Sequence, residues 1–173
     1  MQVDQLNRHA LTGKEAIVGM ASTLDPVALE RLRPLIELEL RRRLQGPYPG
    51  GVLRIASLLR QIFTHLCGGE RSRDEQRRFL CFAAPIAREV AMGCATAGLL
   101  LEEAKRSFLQ FNQWLRRLET FDPVCTRIVE LYYFGGLNAR DTAAIMGLSR
   151  QGVVSELRFA KAWWLQARMR EFS

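Results

Sequence analysis

The stretch from Asp122 to Met169 leaves the chain the fewest choices, because its helix starts and stops fall too close together for anything but short-joined helices. Asp122 followed by Pro123 is a helix start: an aspartate cap, then a residue whose missing N–H costs nothing at the first helical position. Val124, Ile128 and Leu131 recur at helical spacing, and Gly135-Gly136 stops the run. Asn138 predicts a second cap, with Asp141 three residues on as a weak capping box, and that short helix ends at Gly147. Ser149 predicts a third cap, beyond which Val153, Leu157, Ala160 and Trp164 turn inward together.

The middle of this stretch has the layout of a helix-turn-helix. Small Ala143 stands where two helices must approach closely, Gly147 sits in the turn, and Val153 packs the second helix onto the first. The other face of the last helix carries Arg150, Gln151, Val154, Ser155 and Arg158, with Lys161 one turn further, a set suited to a DNA major groove. A helical hairpin with an ordinary solvated face fits the spacing equally well. Trp163 and Trp164 read as packing groups.

Upstream, Asp25-Pro26 repeats the helix-start chemistry, and Leu29, Leu32, Ile36, Leu40 and Leu44 form a stripe. Pro34 inside it predicts a kink or a break. Arg41-Arg42-Arg43 places cations at the helix end, where they suit the dipole. GPYPGG at 46–51 is a loop, a helix is expected from about Val52 to Cys67, and Gly68-Gly69 closes it. Ser72 with Glu75 makes a capping box for a helix with Phe79, Phe82, Ala83, Ile86 and Val90 on one face, bent at Pro85. The small, uncharged residues 92–100 are expected to be a flexible linker. Leu101, Ala104, Phe108, Phe111, Leu115 and Leu118 then mark a long amphipathic helix. For residues 2–20 a packed N-terminal helix and a loose arm both fit. No strand pattern competes, so the expected fold is all-α: two small helical lobes, 1–91 and 101–173, about the linker.

A hydrophobic content of 48% in 173 residues supports a folded chain of one or two small domains. The net charge of +7, from 25 basic and 18 acidic residues, favours polyanionic partners but is spread along the chain. No run of 18 apolar residues occurs, and MQVDQLNRHALTGKE lacks the apolar core of a signal peptide, so a cytoplasmic protein without membrane contact is expected. Cys67, Cys81, Cys94 and Cys125 form no CxxC pair, and only His9 and His65 accompany them, so neither metal-ligand spacing nor a cofactor site is evident. Buried thiols are expected. No nucleophile elbow or phosphate loop is present, which argues against an enzyme.

Several short words occur together between 119 and 164: Asp122-Pro123, Val129-Glu130-Leu131, Phe134-Gly135-Gly136-Leu137, Thr142-Ala143, Gly147-Leu148-Ser149 and Ala160-Lys161-Ala162-Trp163. In these the segment resembles region 4 of sigma-70-type RNA polymerase factors, and is most similar to the extracytoplasmic-function (ECF) group. The front half resembles region 2 of that group only weakly, through ASLLRQIFTHLCGG and RRFLCFAAPIAREV. The resemblance implies that the last helix reads the upstream (−35) promoter element, that region 4 holds the flap of the polymerase β subunit, and that region 2 docks on the β′ coiled coil.

The chain also departs from that family. Its docking helix bears acids, whereas residues 52–68 here contain no Asp or Glu; Gln61 replaces the usual Glu, and Arg54, Arg60 and His65 carry the opposite sign. The docking surface is expected around Arg60, Gln61 and Thr64. Ser57 and Thr64 are seven residues apart, within about 20° on one helix face. A phosphoryl group of about −1.5 to −2 charges on either would restore an anionic surface and bring in a Ser/Thr kinase; two ordinary helix hydroxyls fit the same positions, and an anti-sigma factor is the other control option. No charged residue lies between Glu89 and Glu102, where the family has a basic segment for strand opening. The groove face is thinned: Val154 and Ser155 stand where cations are common, and Gly152 weakens the first turn by about 1 kcal/mol. Arg150 and Gln151 suit base edges; Arg158 and Lys161 suit phosphates. Two readings follow: a divergent sigma factor directing core polymerase to promoters, or a sigma-derived adaptor or antagonist that binds a partner without opening promoters.

Overall fold

The computed structural model describes residues 26–44, 53–68 and 71–171. The expectations for 2–20, the cap Asp25, the loop 46–51, Val52, Gly69 and the Arg54 side chain lie outside the described residues. Among these, seven α-helices and no strand occur, so the fold is all-α.

Helix α1 (Pro26–Leu44) buries the whole predicted stripe, Leu29, Leu32, Ile36, Leu40 and Leu44. It runs unbroken through Pro34, so the break admitted for that position does not occur: the proline forfeits its own N–H bond, while the buried leucines on both sides hold the helix. Helix α2 (Leu53–Cys67) buries Leu58, Leu59, Ile62 and Phe63. Helix α3 (Arg73–Thr96) opens on the expected capping box: the Glu75 N–H donates to Ser72 Oγ at 3.2 Å and the Ser72 N–H to Glu75 Oε2 at 2.8 Å. It too continues past its proline, Pro85.

The stretch 92–100 differs from expectation. Residues 92–96 are the last turns of α3, with Cys94 and Ala95 fully buried, and only 97–101 connect it to α4 (Glu102–Phe121). Small residues looked like a hinge in the sequence; here they let α3 pack closely. The helix ends at Gly98, whose φ of +71° an L side chain seldom adopts. The Leu99 N–H reaches the Cys94 carbonyl at 2.9 Å, and the Gly98 N–H reaches Ala95 at 3.2 Å, the double bond of a Schellman cap. Leu101, expected on the inner face, precedes the first turn of α4 and is exposed.

The remaining helices are α5 (Pro123–Tyr133), α6 (Ala139–Met146) and α7 (Arg150–Glu171). On α5 the buried face is Cys125, Ile128, Val129 and Leu131, and Val124 is exposed: the inward stripe begins one residue later than the spacing suggested. Helix α3 is central, against α1 and α2 on one side and α4 and α5 on the other. The two lobes meet in one continuous apolar core that runs from Leu29 through Phe79 and Ala84 to Phe134 and Ala160. Aromatic rings close its far end, with Phe111 and Trp164 each 5.1 Å from Trp114 and 5.8 Å from each other; Trp163 stacks on Phe121 at 6.4 Å. Both tryptophans are packing groups, as expected.

The lobes approach each other closely at Gly135-Gly136. A Cβ on Gly136 (φ +64°) would lie 2.7 Å from the Ala56 Cβ of α2, whereas one on Gly147 (φ +65°) would meet nothing within 4 Å. Left-handed backbone costs a non-glycine residue about 1–2 kcal/mol. Gly147→Ala is therefore expected to lose about that much in urea unfolding, and Gly136→Ala clearly more, because it also pushes α2 away. Equal losses would mean that the α2 contact is absent in solution.

Candidate nucleic-acid interface

The helix-turn-helix is built by the caps that its sequence announces. Asp122 Oδ1 accepts the Cys125 N–H at 2.9 Å, and Asn138 Oδ1 accepts the Asp141 N–H at 2.8 Å. The Asp141 carboxylate completes the second cap through the Asn138 side-chain amide, at 2.9 Å, and not through backbone. At the turn the Leu148 N–H bonds back to the Ala143 carbonyl at 3.0 Å. Ile128, Ala143 and Val153 form a small core of their own, one residue from each of α5, α6 and α7, as the close approach at Ala143 requires.

Ser149 caps α7 by accepting the Gly152 N–H at 3.0 Å. This explains a residue that spacing alone marked only as a weakness. A Cβ on Gly152 would stand 3.2 Å from Ser149 Oγ, so a side chain there crowds the cap that starts the helix. With Val153 and Ala160 turned inward, Arg150, Gln151, Ser155, Arg158 and Lys161 are exposed and Val154 is half-buried. The six predicted groove residues thus share one solvent-facing side of α7. Among the described residues, Arg150, Arg158 and Lys161 form no ion pair, so their charge is free for an outside anion. Arg140, in the first turn of α6, is a further exposed cation that the sequence reading passed over.

On α2, Ser57, Arg60, Gln61 and Thr64 are all exposed on the outer side. Three of them are already engaged within the chain. Arg60 Nη2 donates to the Gly136 carbonyl, and Gln61 Oε1 accepts from Arg43 Nη1 at 2.8 Å. Thr64 Oγ1 donates to the Arg60 carbonyl one turn back, at 3.1 Å. Neither periodicity nor composition reports the Arg60 partner, which lies 76 residues away.

Cys67, Cys94 and Cys125 are buried and Cys81 is half-buried. Burial pushes the Cys67 thiol up to about 11 and the Cys125 thiol up to about 12, so both stay protonated at neutral pH. Asp122, Cys125 and Glu156 bring potential ligand atoms within 4.8 Å of one another. Capping accounts for that cluster: Asp122 holds the α5 terminus, and Cys125 Sγ donates to the Glu156 carbonyl at 3.5 Å.

The profile of one family, described as ECF sigma factor, matches residues 55–171. That span takes in α2 from its first turns, the central α3, the joint and the whole helix-turn-helix. No curated protein and no solved structure matches the chain. With more than half of its length matched by that profile, the chain belongs to the ECF sigma factor family.

Proposed function

We propose that this sigma factor brings core RNA polymerase to a small set of promoters, with α7 reading the upstream (−35) element from the major groove. The observation that carries the reading is the unpaired basic row on α7 next to a sound helix-turn-helix core. Arg150 and Gln151 sit near the helix N-terminus, where side chains reach base edges; Arg158 and Lys161 lie further back and suit phosphates. The helix-turn-helix lobe then holds the β flap, and the outer face of α2 at Arg60, Gln61 and Thr64 docks on the β′ coiled coil. Such a protein acts in the cytoplasm, with polymerase.

Docking is where this chain needs help. A face that shows Arg60 and His65 and no acid repels a basic partner. Ser57 and Thr64 are both exposed there, and a phosphoryl group on either supplies the missing charge, so activation by a Ser/Thr kinase is part of the proposal. An anti-sigma factor remains the alternative control. The second reading, an adaptor or antagonist that keeps the fold without opening promoters, draws on the same missing acids and on the uncharged run between Glu89 and Glu102.

Two outcomes are expected. In duplex binding, Arg158→Ala reduces the salt dependence of affinity by about 0.9 in the log–log slope. Arg150→Ala costs about 1–3 kcal/mol at one base position. Both variants keep their helical content, and unchanged affinity in both would place the groove face elsewhere. In a pull-down of core polymerase, unmodified protein binds weakly, and Ser57→Glu, Thr64→Glu and kinase-treated protein bind better in ascending order of added charge. Tight binding by unmodified protein removes the need for a switch; no binding in any form favours the adaptor.

A further inference from the structure

Four arginines carry hydrogen bonds and ion pairs across the joint between the lobes. Arg77 of α3 meets Asp141 at 3.1 Å; Arg88 of α3 meets Asn112 at 2.9 Å and Glu119 and Glu130 at 3.5 Å. Arg127 of α5 donates to the Cys81 carbonyl at 3.0 Å. The fourth, Arg60 of α2 on the Gly136 carbonyl, differs from these in being exposed. It also lies on the helix expected to meet polymerase, and at the point where Gly136 packs hardest against α2.

We propose that Arg60 is a latch: in the resting chain it pins the Gly135-Gly136 turn to α2, and an anion on the outer face of α2 draws it off and loosens that seam. Ser57 lies three residues before Arg60 and Thr64 four after it, both neighbouring positions on a helix surface. A phosphoryl group at either offers charged oxygens, which a guanidinium prefers to a neutral carbonyl shared with water. In that transfer the hydroxyl oxygen takes the terminal phosphoryl of a nucleoside triphosphate, the bond to the nucleoside diphosphate breaks, and the hydroxyl proton leaves to solvent. The device rests on the phosphorylation reading above and adds to it that the new charge acts inside the chain, on the joint, before any partner arrives. The groove face of α7 stays open in the latched form, so the latch bears on the seam between α2 and the Gly135-Gly136 turn and not on DNA.

Amide hydrogen exchange on the purified full chain tests this without polymerase or DNA. Wild type is compared with Arg60→Ala, Arg60→Lys, and protein carrying phosphoserine at 57 or phosphothreonine at 64 installed during translation. The readout is the exchange rate of residues 134–137, where the Leu137 N–H bonds to Leu131 and the Gly135 N–H to Glu130, against that of 153–160. Arg60→Ala is expected to speed the first segment about fivefold, the worth of one net hydrogen bond, and to leave the second unchanged. Phosphorylated wild type should match it, phosphorylation of Arg60→Ala should add nothing, and Arg60→Lys should fall between. Unchanged exchange at 134–137 in Arg60→Ala, or an equal effect of phosphate with and without Arg60, overturns the proposal. A chain that fails to recruit polymerase yet shows these shifts counts against the sigma reading alone.

Discussion

A carboxylate taken out of water must be met by positive charge, and Glu130 is met twice. It lies buried on α5, 2.5 Å from Arg127 on its own helix and 3.5 Å from Arg88 on α3. Losing either arginine leaves a largely buried carboxylate with only one of its two compensating charges, which is unfavourable because a buried charge needs its partners. The demand organises what surrounds it. Arg88, turned toward Glu130, also collects Asn112 from α4, while Arg127 reaches back to the Cys81 carbonyl of α3. Three helices are thereby set in register around one acid, and the same register delivers the Gly135-Gly136 turn onto Ala56 and Ala84. Apolar burial supplies most of the stability of this seam; the arginines specify its alignment.

That alignment has a functional side. Helices α5, α6 and α7 carry the proposed groove face, and Asp141, whose carboxylate completes the α6 cap, is also the partner of Arg77 on α3. This three-helix unit is thus braced against the front lobe through its own capping residue. The residues of the proposed groove face, Arg150, Gln151, Arg158 and Lys161, stand in solvent. The front lobe offers the opposite picture. The outer face of α2 is short of acids, and Arg60 and Gln61 there are occupied by the chain itself. On the reading proposed above, DNA recognition needs no rearrangement of this state, while polymerase docking waits on added charge.

Much of this was legible in the residues. Asp122-Pro123, Asn138, Gly147, Ser149 and the Ser72/Glu75 pair each act within one turn of where they stand, so their roles follow from local chemistry and all hold. The stripe on α1 and the inward Val153 follow from periodicity and hold as well. Expectations slipped where the environment decides between two local options. Small residues at 92–96 suit a hinge or a close-packed helix, and the neighbours of Cys94 and Ala95 choose the second. At the first turn of α5 the buried position is Cys125 and not Val124, a choice that the hydrophobic count alone does not make. The arginine contacts across the joint were invisible, since their partners are distant in the chain and arginine on a helix reads as solvated whatever it touches.

The central claim is that the chain directs polymerase, and promoter-dependent initiation tests it most directly. Core RNA polymerase is incubated with genomic DNA and the purified chain, with and without kinase treatment, and transcript 5′ ends are mapped. The account predicts a small set of discrete start sites that share an upstream element, that depend on the chain, that rise after phosphorylation, and that vanish with Arg150→Ala. Start sites absent under every condition, or unchanged by Arg150→Ala, would contradict it.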